Sequence, residues 1–151
     1  MRTITVLIFS LIILSSGFAL DFKALKEQAG QGNPDAQVQL GKIYESIGVD
    51  AKYRTAASWY RKAAEQNHAE AQFRLGMLYE EGKGFPRDYM RSFQYIRDAA
   101  TNGFSEAQYR LGTKYYLGKG LTRNVDKALE WLTKAAEQEH AYAIETLRTI
   151  K

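Results

Sequence analysis

The chain has 151 residues, of which 45% are hydrophobic and 25% are charged. This composition is typical of a globular protein and excludes an intrinsically disordered chain, and the length fits one ordinary domain. The net charge of +4 falls to +3 when Arg2 is removed with residues 1–19. Because the excess of positive charge is small and the charged residues are interspersed, we expect no nucleic-acid partner.

Residues 1–19 have the three-part pattern of a secretory signal peptide. Arg2 supplies the positive start, residues 4–14 form a mainly apolar run that includes Ser10, and small residues precede a cleavage site after Ala19. The run is shorter than the roughly 20 apolar residues that a bilayer-spanning helix needs. The sequence therefore predicts a periplasmic or secreted protein with no stable membrane anchor after cleavage.

The chain contains no cysteine. A lipid-modified cysteine and disulfide bonds are therefore excluded, although an exported protein would be allowed disulfides. We expect residues 20–151 to form one domain that is stabilised by packing alone.

An internal repeat of 35 or 36 residues runs through this domain. The pattern Ala-Gln-x-x-Leu-Gly begins at Ala36, Ala71 and Ala107. An Ala-Ala pair with an aromatic residue four positions before it begins at Ala63, Ala99 and Ala135. Because apolar residues in both patterns recur at spacings of three and four, each repeat is predicted to be a pair of α-helices.

The ends of these helices also have sequence signals. Asp88 and Asn124 are expected to cap the second helices, and Gly82 and Gly118 are expected to end first helices in the left-handed conformation. Glycines at positions 41, 76 and 112 lie inside helices, where glycine costs about 1 kcal/mol relative to alanine. We expect each to allow a Trp or Tyr of the paired helix to approach the backbone.

Together, Ala-x3-Leu-Gly-x2-Tyr, the Gly-Lys-Gly turn and Ala-x2-Trp-x3-Ala-Ala resemble the Sel1-like repeats, relatives of the tetratricopeptide repeats. The resemblance covers about residues 22–147. It implies an all-α fold, an α/α solenoid of antiparallel helix pairs forming a superhelix, with repeats at about 36–70, 71–106 and 107–142. Half repeats at 22–35 and 143–151 are expected to cap the array.

Two departures from the repeat pattern stand out. The first repeat has Ser46-Ile47-Gly48 in place of Gly-Lys-Gly and is one residue shorter, so its loop is expected to follow another path. Lys114 occupies the position of Ile43 and Leu78 in the other repeats.

No catalytic constellation is apparent in the sequence. His68 and His140, the only histidines, are expected to be turn residues about 20 Å apart, too far to share a metal ion. Glu45, Glu80 and Glu81 end first helices and are interpreted as solvated charges. The sequence therefore predicts no catalytic residue, no cofactor and no metal site.

The remaining candidate is a binding surface. In similar arrays the first helices line the concave side of the solenoid. The positions there that packing does not require are Gln39, Lys42, Arg74, Met77, Arg110, Thr113, Lys114 and Tyr116. Arg74, Arg110 and Lys114 are expected to form a basic stripe, beside adaptable apolar groups.

The resemblance implies a module that binds another protein and catalyses no reaction. Such a protein could act as an adaptor, a regulator or an immunity protein, and the residues do not separate these roles. Two alternatives remain: an enzyme acting on cell-wall material, and a structural protein that binds an anionic envelope polymer in a salt-sensitive manner. The lack of clustered catalytic groups argues against the enzyme.

Overall fold

The computed structural model describes residues 21–150, which form eight α-helices and no β-strand. The first described helix, α1, covers residues 21–30. The others are α2 (Pro34–Ser46), α3 (Asp50–Ala64), α4 (Ala69–Glu81), α5 (Tyr89–Thr101), α6 (Ser105–Leu117), α7 (Val125–Glu137) and α8 (Ala141–Thr149). The predicted signal peptide lies outside the described residues.

The helices pack one after another as a solenoid of antiparallel pairs, which confirms the predicted fold class. Contacts are most extensive within the pairs α2/α3, α4/α5 and α6/α7, and each pair packs on the next through α3/α4 and α5/α6. Helix α1 packs through Ala29 against Ala36 and Leu40 of α2, and α8 packs on α7. None of the described helices is both long and apolar enough to cross a membrane.

The core is a succession of apolar clusters along the array. The aromatic landmark residues lie between clusters. Trp59 packs against the cluster of α1 and α2, Tyr95 against that of α3 and α4, and Trp131 against that of α5 and α6. Each large ring therefore joins its own helix pair to the preceding one.

The predicted helix ends are confirmed. Asp88 Oδ1 accepts a hydrogen bond from Arg91 N at 2.9 Å, and Asn124 Oδ1 accepts one from Lys127 N at 2.9 Å. Gly82 and Gly118 end α4 and α6 with φ angles of 71° and 68°, in the left-handed region. Helix α2 ends differently, as the changed turn sequence predicts, because Ile47 at its end has a right-handed backbone conformation.

The expected aromatic partner of the helical glycines is present in only one repeat. Gly41 faces the ring of Tyr60, and a side chain on this glycine would overlap the ring. The expectation is wrong for Gly76 and Gly112, which face Ile96 and Leu132. The reason is that the paired helix presents the residue after the aromatic landmark, whereas the landmark ring itself turns towards the preceding cluster.

Candidate protein-binding face

The eight residues predicted to bind protein lie on three first helices, which form what we call the first-helix face. Helix α2 carries Gln39 and Lys42, α4 carries Arg74 and Met77, and α6 carries Arg110, Thr113, Lys114 and Tyr116. Gln39 is exposed and the other seven are half-buried. The structure therefore places all eight on the helices that the repeat pattern assigns to them.

A network of ion pairs connects α2 and α4 on this face. Glu70 Oε1 accepts from Lys42 Nζ at 2.6 Å and from Arg74 Nε at 2.9 Å. Arg74 Nη1 also lies 3.3 Å from Glu45 Oε2, and the same oxygen accepts a hydrogen bond from the hydroxyl of Tyr60 at 2.5 Å. The network therefore connects three helices, because Tyr60 belongs to α3.

The pKa values of this network follow from its partners. Burial by itself raises the pKa of Glu70, but hydrogen bonds from Lys42 and Arg74 outweigh burial and lower the pKa below its ordinary value. Burial raises the pKa of the Tyr60 hydroxyl, and the hydrogen bond to Glu45 raises it further. Tyr60 therefore stays a neutral donor, and Glu70 stays ionised.

A second set of pairs lies on α4 and α6. Lys114 Nζ, on α6, lies 2.6 Å from Glu80 Oε1 on α4. Arg110 Nε lies 2.8 Å from Glu106 Oε1, and its guanidinium lies 5.6 Å from the centroid of the Phe73 ring. The half-buried Lys114 thus replaces an apolar residue of the other repeats with an ion pair between repeats.

These pairs correct the expectation of a basic stripe. Arg74, Arg110 and Lys114 each contact a carboxylate, so the first-helix face has alternating charges instead of unbalanced positive charge. The carboxylate partners lie one turn away on the same helix or on a helix of the preceding repeat. The sequence pattern alone does not indicate this pairing.

Three further residues of the face are partly used by the fold. Met77 packs against the cluster that contains Ile96 and Leu111. The prediction that packing does not use this residue is therefore wrong. Thr113 Oγ1 donates to the carbonyl of Tyr109 at 2.9 Å. Tyr116 accepts a hydrogen bond at its carbonyl oxygen from Arg123 Nε at 3.0 Å.

Both histidines are helix N-caps. The Nδ1 atoms of His68 and His140 accept from the backbone N–H groups of Ala71 and Ala143, each at 3.3 Å. Their Nε2 atoms lie 3.0 Å from Asp35 Oδ1 and 2.9 Å from Glu106 Oε2. This arrangement accounts for the histidines structurally. Asn33 caps α2 at the equivalent position of the first repeat, and this equivalence is the sequence signal that could have indicated the two histidine caps.

The acidic candidates are likewise held in ion pairs. Glu45 and Glu80 belong to the networks above, and Glu81 Oε2 lies 2.6 Å from Lys83 Nζ. Within residues 21–150, no group of three or more His, Asp or Glu side chains is arranged to hold a metal ion.

The glutamine of the Ala-Gln landmark has a structural role that the sequence pattern does not indicate. Gln37, Gln72 and Gln108 are buried, and each donates from Nε2 to the carbonyl of Ala29, Ala64 or Ala100 at the end of the preceding helix pair. Their Oε1 atoms accept from Gln66, Asn102 and Gln138. We call these contacts the glutamine bridges. They hold successive first helices, and so the first-helix face, in fixed register.

The sequence matches three consecutive Sel1 repeats, at residues 34–68, 69–104 and 105–140. These units begin at α2, α4 and α6, two residues before the boundaries expected from the landmarks. Sel1 repeats are protein-interaction modules.

Similar proteins carry the same repeat. A Sel1 repeat protein from Oxalobacter formigenes is 37% identical with a TM-score of 0.70, over 75% of this chain and 45% of that one. The protein c5321, a protective antigen of uropathogenic Escherichia coli with an SLR fold, is 35% identical with a TM-score of 0.73, over 82% of this chain and 27% of that one. Mouse protein sel-1 homolog 2 is 42% identical over 60 residues, which are 38% of this chain and 9% of that protein.

The chain thus spans less than half the length of each of these relatives. The three matched repeats nevertheless account for all the helix pairs from α2 to α7. On that evidence the chain belongs to the Sel1 repeat family.

Proposed function

We propose that this chain is an exported bacterial protein that binds another protein on its first-helix face and catalyses no reaction. Family membership supports a protein partner, since Sel1 repeats bind other proteins. The observation that carries the choice of face is the set of ion pairs Lys42–Glu70–Arg74–Glu45 and Lys114–Glu80, which extends across α2, α4 and α6.

Ion pairs of this kind suit selective recognition. The charged groups are held in position before a partner arrives, so binding requires less ordering of side chains. Neighbouring charges of opposite sign also favour a partner with the complementary order and disfavour others. The face therefore supports specificity for one protein more than general adhesion.

The predicted signal peptide in residues 1–19 supports a periplasmic or secreted location, and the two similar bacterial proteins support a bacterial source. In that location the chain would act as an adaptor, a regulator or an immunity protein. The identity of the partner decides among these roles, and a toxin encoded beside the gene would favour immunity.

The first experiment captures partners from an envelope extract of the native host with the tagged chain as the host processes it. Captured proteins are identified by mass spectrometry, and the affinity of each purified candidate is measured by calorimetry. Failure to recover any specific protein from the envelope or the medium would contradict the proposal.

The face itself is tested by exchanging one ion pair. The double variant Lys114→Glu with Glu80→Lys keeps an ion pair between α4 and α6 but reverses its direction. We expect partner affinity to fall by about tenfold or more. The matched control exchanges Lys134 and Glu130, an exposed pair on α7 at 2.7 Å, and should bind as the unchanged chain does. Equal affinities for both variants would place binding elsewhere.

A second candidate function is binding of an anionic envelope polymer, and an arginine cluster favours it. Arg61, Arg87 and Arg91 are exposed and line two adjoining cavities beside Tyr79. Among the ion pairs of residues 21–150, none includes Arg61. Polyphosphate is a suitable probe, and its binding should weaken steeply with salt and be lost on Arg61→Ser with Arg91→Ser. Retention of polyphosphate binding by this variant would exclude the cluster.

A further inference from the structure

The loop after α4 is closed onto the start of α3. Arg54 Nε donates to the carbonyl of Gly84 at 2.9 Å, and a Cβ atom on Gly84 would lie 2.9 Å from the backbone nitrogen of Arg54. Lys83 lies 2.6 Å from Glu81 and 5.3 Å from the ring centroid of Tyr53. Both cations of this joint between two repeats are therefore engaged, Lys83 with Glu81 and Arg54 with the carbonyl of Gly84, and the space beside Gly84 is filled.

The equivalent joint, 36 residues later, has lost these contacts. Met90 replaces Arg54 and cannot donate a hydrogen bond to the loop. Leu117 replaces Glu81 and cannot pair with Lys119, which is in none of the ion pairs of the described residues. Nothing lies within 4 Å of a Cβ atom placed on Gly120, although its φ of 77° matches the 80° of Gly84. The loop after α6 therefore keeps its conformation but does not close.

A pocket of about 440 Å³ opens where the contact is missing. Tyr89, Met90 and Phe93 form its apolar wall, and Lys119 and Gly120 form its rim. Tyr89 is 60% exposed and Met90 is 69% exposed, so two adjacent large side chains are open to solvent at this pocket. The volume lies within the range of about 300–1,000 Å³ found for ligand sites, and we call this the joint pocket.

Charge decides which occupant fits the joint pocket. Lys114 and Glu80 also line it, but they neutralise each other in their ion pair. Lys119 is then the uncompensated charge at the rim. An apolar wall built on a flexible methionine suits aliphatic side chains of several shapes, and the lysine suits a carboxylate beside them.

We infer that the joint pocket binds a short segment of the partner protein that presents apolar side chains beside an acidic residue. This inference rests on the proposed function and adds where the partner is anchored. It also assigns specificity to repeat two and its joint with repeat three, since the preceding joint is closed by Arg54.

The test uses the peptide acetyl-Gly-Leu-Leu-Glu-amide, titrated into the ¹⁵N-labelled chain and followed by NMR. We expect saturable shifts at the amides of Lys119 and Gly120. The matched peptide ending in glutamine should bind about fivefold more weakly, because it cannot form the surface ion pair with Lys119. A peptide with serine in place of both leucines should produce no saturable shift.

The variant Met90→Arg is designed to close the pocket as Arg54 closes the preceding joint. It should abolish peptide binding, while circular dichroism reports an unchanged fold. A second variant, Lys119→Gln, should reduce the affinity for the glutamate peptide to that for the glutamine peptide. Unchanged peptide binding by Met90→Arg, or an absence of saturable shifts in the unaltered chain, would overturn the inference.

This outcome is distinct from failure of the proposed function. If a partner is captured but the peptide does not bind, only the joint pocket is excluded. If no partner is captured, the proposed function fails, and the peptide titration still decides whether the pocket binds its predicted ligand class.

Discussion

Gln72 and Asn102 are linked by a hydrogen bond in which Asn102 Nδ2 donates to Gln72 Oε1 at 2.8 Å. Gln72 also donates from Nε2 to the carbonyl of Ala64 at 3.4 Å, and only 6% of the residue is exposed. One side chain on α4 therefore binds the ends of α3 and α5. Because α3 belongs to the preceding pair, this contact helps to set the stacking of the repeats.

Replacement of this glutamine should destabilise the whole array. We expect Gln72→Ala to lower the free energy of unfolding by about 2 kcal/mol, since it removes two hydrogen bonds of about 1 kcal/mol each, the one to the carbonyl of Ala64 and the one from Asn102. Urea denaturation followed by circular dichroism measures the change. Asn102→Ala is the control and should cost about 1 kcal/mol or less, because Asn102 is exposed and can bind water. Similar losses for both variants would argue against the bridge.

Replacement of Ser92 by alanine should have the opposite effect. Ser92 is 1% exposed, and its Oγ has no hydrogen-bond partner within the described part of the chain. The equivalent residues of the other repeats are Ala56 and Ala128, both fully buried. We expect Ser92→Ala to raise the free energy of unfolding by about 1 kcal/mol in urea denaturation. The reverse change, Ala128→Ser, should lower it, and a stabilising serine there would refute the explanation.

The helical glycine of the first repeat should not tolerate a methyl group. A Cβ atom at Gly41 would overlap the buried ring of Tyr60, so we expect Gly41→Ala to cost about 2–3 kcal/mol despite the better helix propensity of alanine. Gly30 in α1 has nothing within 4 Å of its Cβ position. Gly30→Ala should therefore be neutral or stabilising by up to about 1 kcal/mol. Thermal unfolding of the two variants compares them directly.

The ion-pair network of α2 and α4 should contribute a pH-dependent stability. The pKa of Glu70 is lowered from its ordinary 4.5 in the folded chain, although burial opposes this. Glu70 therefore contributes its full stabilisation at pH values above the pKa that it has in the unfolded chain. This stabilisation is lost as the pH falls through the pKa that it has in the folded chain. The stability difference between the unaltered chain and Glu70→Gln should be constant above about pH 6 and shrink below pH 4.5.

The matched control for this pH series is Glu130→Gln, which removes the exposed pair with Lys134. Its effect should stay within about 0.5 kcal/mol at every pH. Denaturant titrations at intervals between pH 3 and pH 7 give both curves. A Glu70→Gln difference that does not vary with pH would contradict the role of the network.

Local features of the fold could be predicted from the sequence because they depend on neighbours along the chain. The caps at Asp88 and Asn124 each involve a backbone N–H three residues later. Gly82 and Gly118 end helices through their own conformational freedom. The repeat then extends each local assignment to the next pair, which is why the array of helix pairs was predictable.

The contacts of the candidate site were not predictable in the same way. The partner of Lys114 is Glu80, 34 residues away, and it is set by the rotation between successive pairs. The partner of Gly76 is Ile96, one position after the aromatic landmark, for a related reason. A rotation of one residue about a helix axis is about 100°. Periodicity identifies the buried face but leaves the neighbour within that face undetermined.

The glutamine bridges have a consequence for how this architecture can lengthen. Each joins one unit to the one before it, so a duplicated copy of residues 69–104 would find matching donors and acceptors at both of its boundaries. The corresponding position of α8 is Ile144, whose side chain has no amide group and cannot form such a bridge. Insertion of a further unit is therefore chemically compatible between existing repeats, whereas the joint to α8 is held by apolar packing and by His140. Growth by whole units from within would preserve the contacts of α1 and α8.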